Sequence, residues 1–97
     1  MHVMFRCKIK PTEVERNLAL LRELYAQLGE ARPQGLRYAT FQLEDGVTFV
    51  AFAELAEGTA VLGQLEAFQR YRSTLEERCE EPPVMTTLSE VGSYGFR

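Results

Sequence analysis

Apolar and polar residues alternate from the start of the chain. Val3, Phe5, Cys7 and Ile9 interleave with His2, Met4, Arg6 and Lys8, which predicts a first strand over residues 2–9. Pro11 stops it. Thr12-Glu13-Val14-Glu15 has the form of a capping box, with Thr12 accepting from the third helical amide and Glu15 reaching back. Val14, Leu18, Leu21, Tyr25 and Leu28 then recur at helical spacing, an amphipathic stripe that Gly29 is placed to end.

After a loop through Arg32-Pro33-Gln34-Gly35, two β-rich runs flank Asp45-Gly46, a strong hairpin signal because such turns favour residues that tolerate positive φ. A two-residue turn there sets Glu44 opposite Val47, Phe41 opposite Val50, Ala39 opposite Phe52, Tyr38 opposite Ala53 and Arg37 opposite Glu54. One face then carries Ala39, Phe41, Leu43, Val50 and Phe52, the other Tyr38, Thr40, Gln42, Phe49, Ala51 and Ala53. Neither is simply polar, so both faces should be covered.

A polar stretch at 56–59 leads into a second helical pattern, in which Val61, Leu65, Phe68, Leu75 and Cys79 share a face and Gly63 can divide a short helix from a longer one. Pro82-Pro83 ends it. Residues 84–96 resume as an extended run, bent at Gly92 and Gly95. The order is strand, helix, strand, strand, helix, strand. Right-handed crossovers put both helices on one face of a four-stranded antiparallel sheet, an α+β, ferredoxin-like βαββαβ fold.

Ninety-seven residues make one domain, 1–97, burying roughly 60–65 % of the unfolded surface. Fourteen acids against eleven scattered bases give a net charge of −3, which argues against nucleic-acid binding. No apolar run has the length of a signal peptide or a membrane span, so a cytoplasmic location is expected. Cys7 and Cys79 lack the spacing of a metal site and read as buried free thiols, with a bridge open to them in an oxidising compartment.

Two helices cover one face only. With Phe5, Phe41, Val50 and Phe52 assigned to the helix side, Met4, Tyr38, Phe49, Ala51 and Ala53 would face away and form an apolar patch larger than a monomer usually exposes. A two-fold homodimer, sheet against sheet, removes that patch, and the C-terminal run ending in Tyr94 and Phe96 could serve as an arm to the partner.

Element order over nearly the whole chain, the strand Thr48-Phe49-Val50-Ala51-Phe52-Ala53-Glu54, the helical Ala67-Phe68-Gln69-Arg70-Tyr71-Arg72, and the stretch from Pro82-Pro83-Val84 through Val91-Gly92-Ser93-Tyr94 resemble the dimeric α+β barrel superfamily, in particular antibiotic-biosynthesis-monooxygenase-type domains. The resemblance implies two sheets closing a barrel across a dimer, with a pocket between sheet and helices in each subunit. It also implies cofactor-independent monooxygenases or isomerases of small aromatic or quinone-like compounds, haem-degrading enzymes, or non-catalytic ligand-binding and interaction modules. Haem-degrading members carry histidine or asparagine on the second helix; Gly63-Gln64 stands there, and the sole histidine is His2. No cofactor or metal is therefore expected.

Candidate chemistry narrows to a few residues. Arg72 falls within the apolar stripe of the second helical run, where it either reaches solvent along its own stem, pairs with an acid of the first helix, or clamps an anion or carbonyl. The pocket it would serve is lined by Phe5, Tyr25, Phe41, Phe52 and Phe68 beside Tyr71. Tyr38, with Thr40 and Gln42, either packs in the dimer interface or lines a small cavity as a proton donor. Tyr25 and Tyr71 belong first to the helix stripes. Glu76-Glu77 and Glu80-Glu81 are like charges on a solvated face. With one histidine, no standard hydrolase set can be assembled.

Overall fold

The computed structural model describes residues 1–56, 58 and 60–96. Strands β1 (His2–Lys8), β2 (Leu36–Gln42), β3 (Thr48–Leu55) and β4 (Val84–Leu88) form one antiparallel sheet in the order β2-β3-β1-β4. Helix α1 (Val14–Ala31) and the short helices α2 (Ala60–Gly63), α3 (Glu66–Ser73) and α4 (Leu75–Arg78) complete the ferredoxin-like arrangement. Glu57 and Thr59, from the polar stretch before α2, lie outside the described residues.

Local chemistry departs from the expected detail at both ends of α1. Pro11–Glu13 is a 3-10 turn, and no side chain caps Val14–Ala31, so the capping box does not form. The helix also runs past Gly29. It ends where Arg32 takes φ 45° and its amide returns to Leu28 O at 2.9 Å, a left-handed cap made without glycine. The buried stripe is rotated by about a residue from the expected one: Asn17, Leu21 and Leu24 are its fully buried members, while Leu18, Tyr25 and Leu28 flank it.

The β2–β3 register is as expected, with Phe41 opposite Val50 and Tyr38 opposite Ala53. The turn is longer than two residues. Leu43 N bonds Thr48 O at 2.9 Å, and only Gly46, at φ 76°, has positive φ in the loop. Asp45 organises it by accepting from the amides of Val47 (3.0 Å) and Thr48 (2.8 Å) and from the Thr48 hydroxyl (2.6 Å).

The two faces of the hairpin are exchanged relative to expectation. Val3 pairs with Ala53, Phe5 with Ala51 and Cys7 with Phe49, so the buried side of β1 joins the Tyr38, Thr40 and Phe49 face beneath the helices. Phe41 and Phe52 lie on the other face, 54 % and 44 % exposed, with ring centroids 6.1 Å apart. The reason is steric as well as hydrophobic. Ala53 leaves room for Leu62 and Leu65 to pack onto the sheet, which a larger side chain at that position would prevent.

Residues 84–96 are not one long strand. β4 ends at Leu88, and the tail beyond it is irregular, with Val91, Tyr94 and Phe96 at 100 %, 94 % and 77 % exposure. Gly95 has positive φ and Gly92 does not.

Candidate functional site

The broken second helical run positions the site. α2 ends at Gly63, α3 begins after extended Leu65, and the Gln27 side-chain oxygen on α1 accepts the Ala67 amide at 2.8 Å. Thr74 then separates α3 from α4. Each break resets the helical phase. Arg72, which an unbroken period would bury, therefore comes out exposed, and Arg78 becomes the buried arginine.

Between α3 and the sheet lies a cavity of about 250 Å³. Its sheet side is made by Phe5, Cys7, Tyr38, Thr40, Phe49 and Ala51; Phe68, Tyr71 and Leu75 close it from the helices. Arg72 stands at its edge, and the start of β4 borders it.

Five residues singled out from the sequence, Arg72, Tyr71, Tyr38, Phe5 and Phe68, thus meet around one space. Three do not. Phe41 and Phe52 are on the opposite face because the β1–β3 register exchanges the faces. Tyr25 packs against Tyr38 at 5.8 Å between centroids and hydrogen-bonds Thr40 Oγ1 at 2.7 Å, bordering a shallow groove instead of the cavity.

Electrostatically the cavity is a place for donors. Burial pushes the Tyr38 and Tyr71 hydroxyls well above the ordinary phenol range, and burial again lifts the Cys7 thiol to about 11. All three stay protonated near neutrality. A protonated phenol can donate a hydrogen bond to a ligand oxygen but cannot accept a proton as a base. No Asp, Glu, His or Lys lines the space among the described residues.

Behind Tyr71 lies a group that the sequence reading missed. Arg78 is wholly inaccessible; its Nε donates to Asn17 Oδ1 at 3.1 Å, one terminal nitrogen to Thr74 Oγ1, and the other to the Tyr71 carbonyl oxygen at 2.8 Å. The Asn17 side-chain nitrogen is buried with no partner among the described residues. An asparagine at a stripe position one turn from Leu21 was the available sequence signal.

Cys7 and Cys79 are both buried and unbridged, and each influences the other's ionisation, so the two thiols are neighbours. His2 is a partly exposed residue beside Glu54 at 3.7 Å. A second, larger concavity of about 600 Å³ lies on the outer face under residues 90–96, where Arg37 pairs with Glu54 at 3.0 Å. It is the more open space, and its far wall is the exposed tail. The less open cavity on the helix side is the better candidate site.

No protein-family model and no curated protein matches the sequence. Solved structures do resemble it. Rv0793 from Mycobacterium tuberculosis is 23 % identical, with a TM-score of 0.73 and 95 % of each chain covered. An antibiotic biosynthesis monooxygenase is 24 % identical, at TM-score 0.70, covering 94 % of this chain and 98 % of that one. A variant of SnoaB, a cofactor-independent oxygenase from Streptomyces nogalater, is 13 % identical, at TM-score 0.70, covering 97 % and 95 %. The chain has the antibiotic-biosynthesis-monooxygenase fold. At these identities the likeness concerns the backbone, and the side chains of the cavity have to speak for themselves. Among the described residues, no helix is long and apolar enough to cross a membrane.

Proposed function

We propose that the cavity beneath α3 binds a small aromatic or quinone-like compound and acts on it as a cofactor-independent monooxygenase or isomerase. The observation that carries this is the meeting of Tyr38, Tyr71 and Arg72 with Phe5, Phe49 and Phe68 around one partly open space of about 250 Å³. Aromatic walls suit a planar ring, and protonated phenols suit a carbonyl or phenolic oxygen on it. The fold shared with a cofactor-independent oxygenase is consistent with such chemistry. Substrates that ionise or enolise readily fit best, since the lining offers no base.

That same lack of a group titrating near neutrality favours a second reading, a non-catalytic module that holds the ligand. Oxygen uptake with anthrone separates the two. Oxygenation of its methylene consumes one O2 and yields anthraquinone and one water. Turnover above the spontaneous rate that falls in Tyr38→Phe or Tyr71→Phe supports the enzyme. Binding without turnover supports the module, and no binding removes both.

We also propose that the protein is a homodimer in which the outer faces of the two sheets meet. Met4, Ala39, Phe41, Val50, Phe52 and Val84 share that face, and Phe41, Phe52 and Val84 are 54 %, 44 % and 56 % exposed. Covering them removes a patch of the kind that marks an interface.

A further inference from the structure

Arg78 is a fully buried guanidinium whose polar partners, Asn17 Oδ1, Thr74 Oγ1 and the Tyr71 carbonyl, are all neutral. Among the described residues no carboxylate pairs with it, and none pairs with Arg72. A buried charge without a counter-charge is costly, and burial accordingly holds the Arg78 guanidinium below its ordinary range. Arg78 lies 5.0 Å from the centroid of the Tyr71 ring, and Tyr71 is a wall of the cavity. Arg72 stands at the cavity edge, and no acid lines the space. The cavity therefore has one positive charge behind its wall and two arginines, Arg72 and Arg6, along its border, with nothing negative in place.

We infer that the occupant of the cavity is an anionic aromatic, a planar ring bearing a carboxylate or another ionised oxygen, which supplies the counter-charge that Arg78 and Arg72 lack. The inference rests on the aromatic-cavity reading above and adds the sign of the ligand's charge to it. Arg72 reaches an exposed anion as an ordinary guanidinium–carboxylate pair. Arg78 acts through Tyr71, as a positioning residue whose field favours negative charge on the far side of the ring and strengthens the hydroxyl as a donor.

The test uses two probes of the same shape, 2-naphthoate and 2-naphthalenemethanol, titrated into the intact protein at low ionic strength while amide shifts of Ala51, Phe68 and Tyr71 are followed. 2-Naphthoate should bind about tenfold more tightly, as expected for a hydrogen bond to a charged group. Arg72→Gln should weaken 2-naphthoate by about fivefold and leave the alcohol unchanged. Arg78→Met, with its fold checked by thermal melting, should likewise narrow the preference without weakening the alcohol; Arg72→Gln, at an exposed position, keeps the test sound if Arg78→Met does not fold. Equal or tighter binding of the alcohol, or a preference unmoved by Arg72→Gln, overturns the inference and leaves the aromatic cavity standing. Failure of both probes to shift the cavity amides overturns both.

Discussion

The guanidinium of Arg78 lies 5.0 Å from the Tyr71 ring centroid and donates to the Tyr71 carbonyl oxygen at 2.8 Å. One side chain thereby holds both the face and the backbone of a cavity residue, and also Asn17 on α1. Arg78→Ala leaves a void and orphans those acceptors, so it should lower the unfolding free energy by about 3 kcal/mol. Arg78→Met orphans the same acceptors but refills the volume, and should cost about 1 kcal/mol less. Urea denaturation of both variants measures the difference; an Arg78→Met loss equal to that of Arg78→Ala would contradict this account.

Ala51 leaves the floor of the cavity open. Ala51→Leu should project into that space and weaken binding of a naphthalene-sized ligand at least tenfold. The melting temperature should change little, because overpacking costs its usual ~1–3 kcal/mol only where no void exists to receive the added methylenes. Calorimetric titration beside a melting curve distinguishes a filled site from an unfolded one.

The outer face decides the oligomeric state. Phe52→Glu, opposite Met4 and Ala39 in the ladder, should convert a species of twice 11.1 kDa into one of 11.1 kDa in light scattering at micromolar concentration. A wild-type mass of 11.1 kDa would refute the dimer directly.

Cys7 shows how burial makes stability depend on pH. Its thiol is raised from 9.0 to about 11 in the folded protein, so above pH 9 the unfolded chain releases a proton that the folded chain retains. Stability should fall as pH rises from about 9 toward 11, and Cys7→Ala should flatten that decline. Below pH 8 the native thiol should react with a disulfide reagent only after denaturation.

Asp45 works in the opposite direction. Its bonds from Thr48 and Val47 hold the carboxyl below the ordinary aspartate range, so its contribution is present above the unfolded value and is lost as pH falls through the folded one. Asp45→Ala should lower the denaturation midpoint at neutral pH, and the gap from wild type should close in acid. A gap of constant size would show that the turn does not depend on the ionised carboxylate.

Element order, the ferredoxin-like fold, the β2–β3 register and the grouping of Phe68 with Tyr71 were legible in the chain alone. These rest on local periodicity and on residues close in the chain, such as the hairpin from Tyr38 to Ala53 or the helical pair Phe68 and Tyr71. Tertiary structure decided which face of the hairpin the helices cover. Both faces are apolar, and only the long-range pairing of Val3 with Ala53 and Cys7 with Phe49 selects one. It also decided which arginine is buried. Breaks after Gly63 and at Thr74 shift the helical phase, carrying Arg72 to the cavity edge and Arg78 into the core beside Asn17. Periodicity cannot see a phase reset or a long-range register, because each is fixed by contacts between segments and not by the spacing within one.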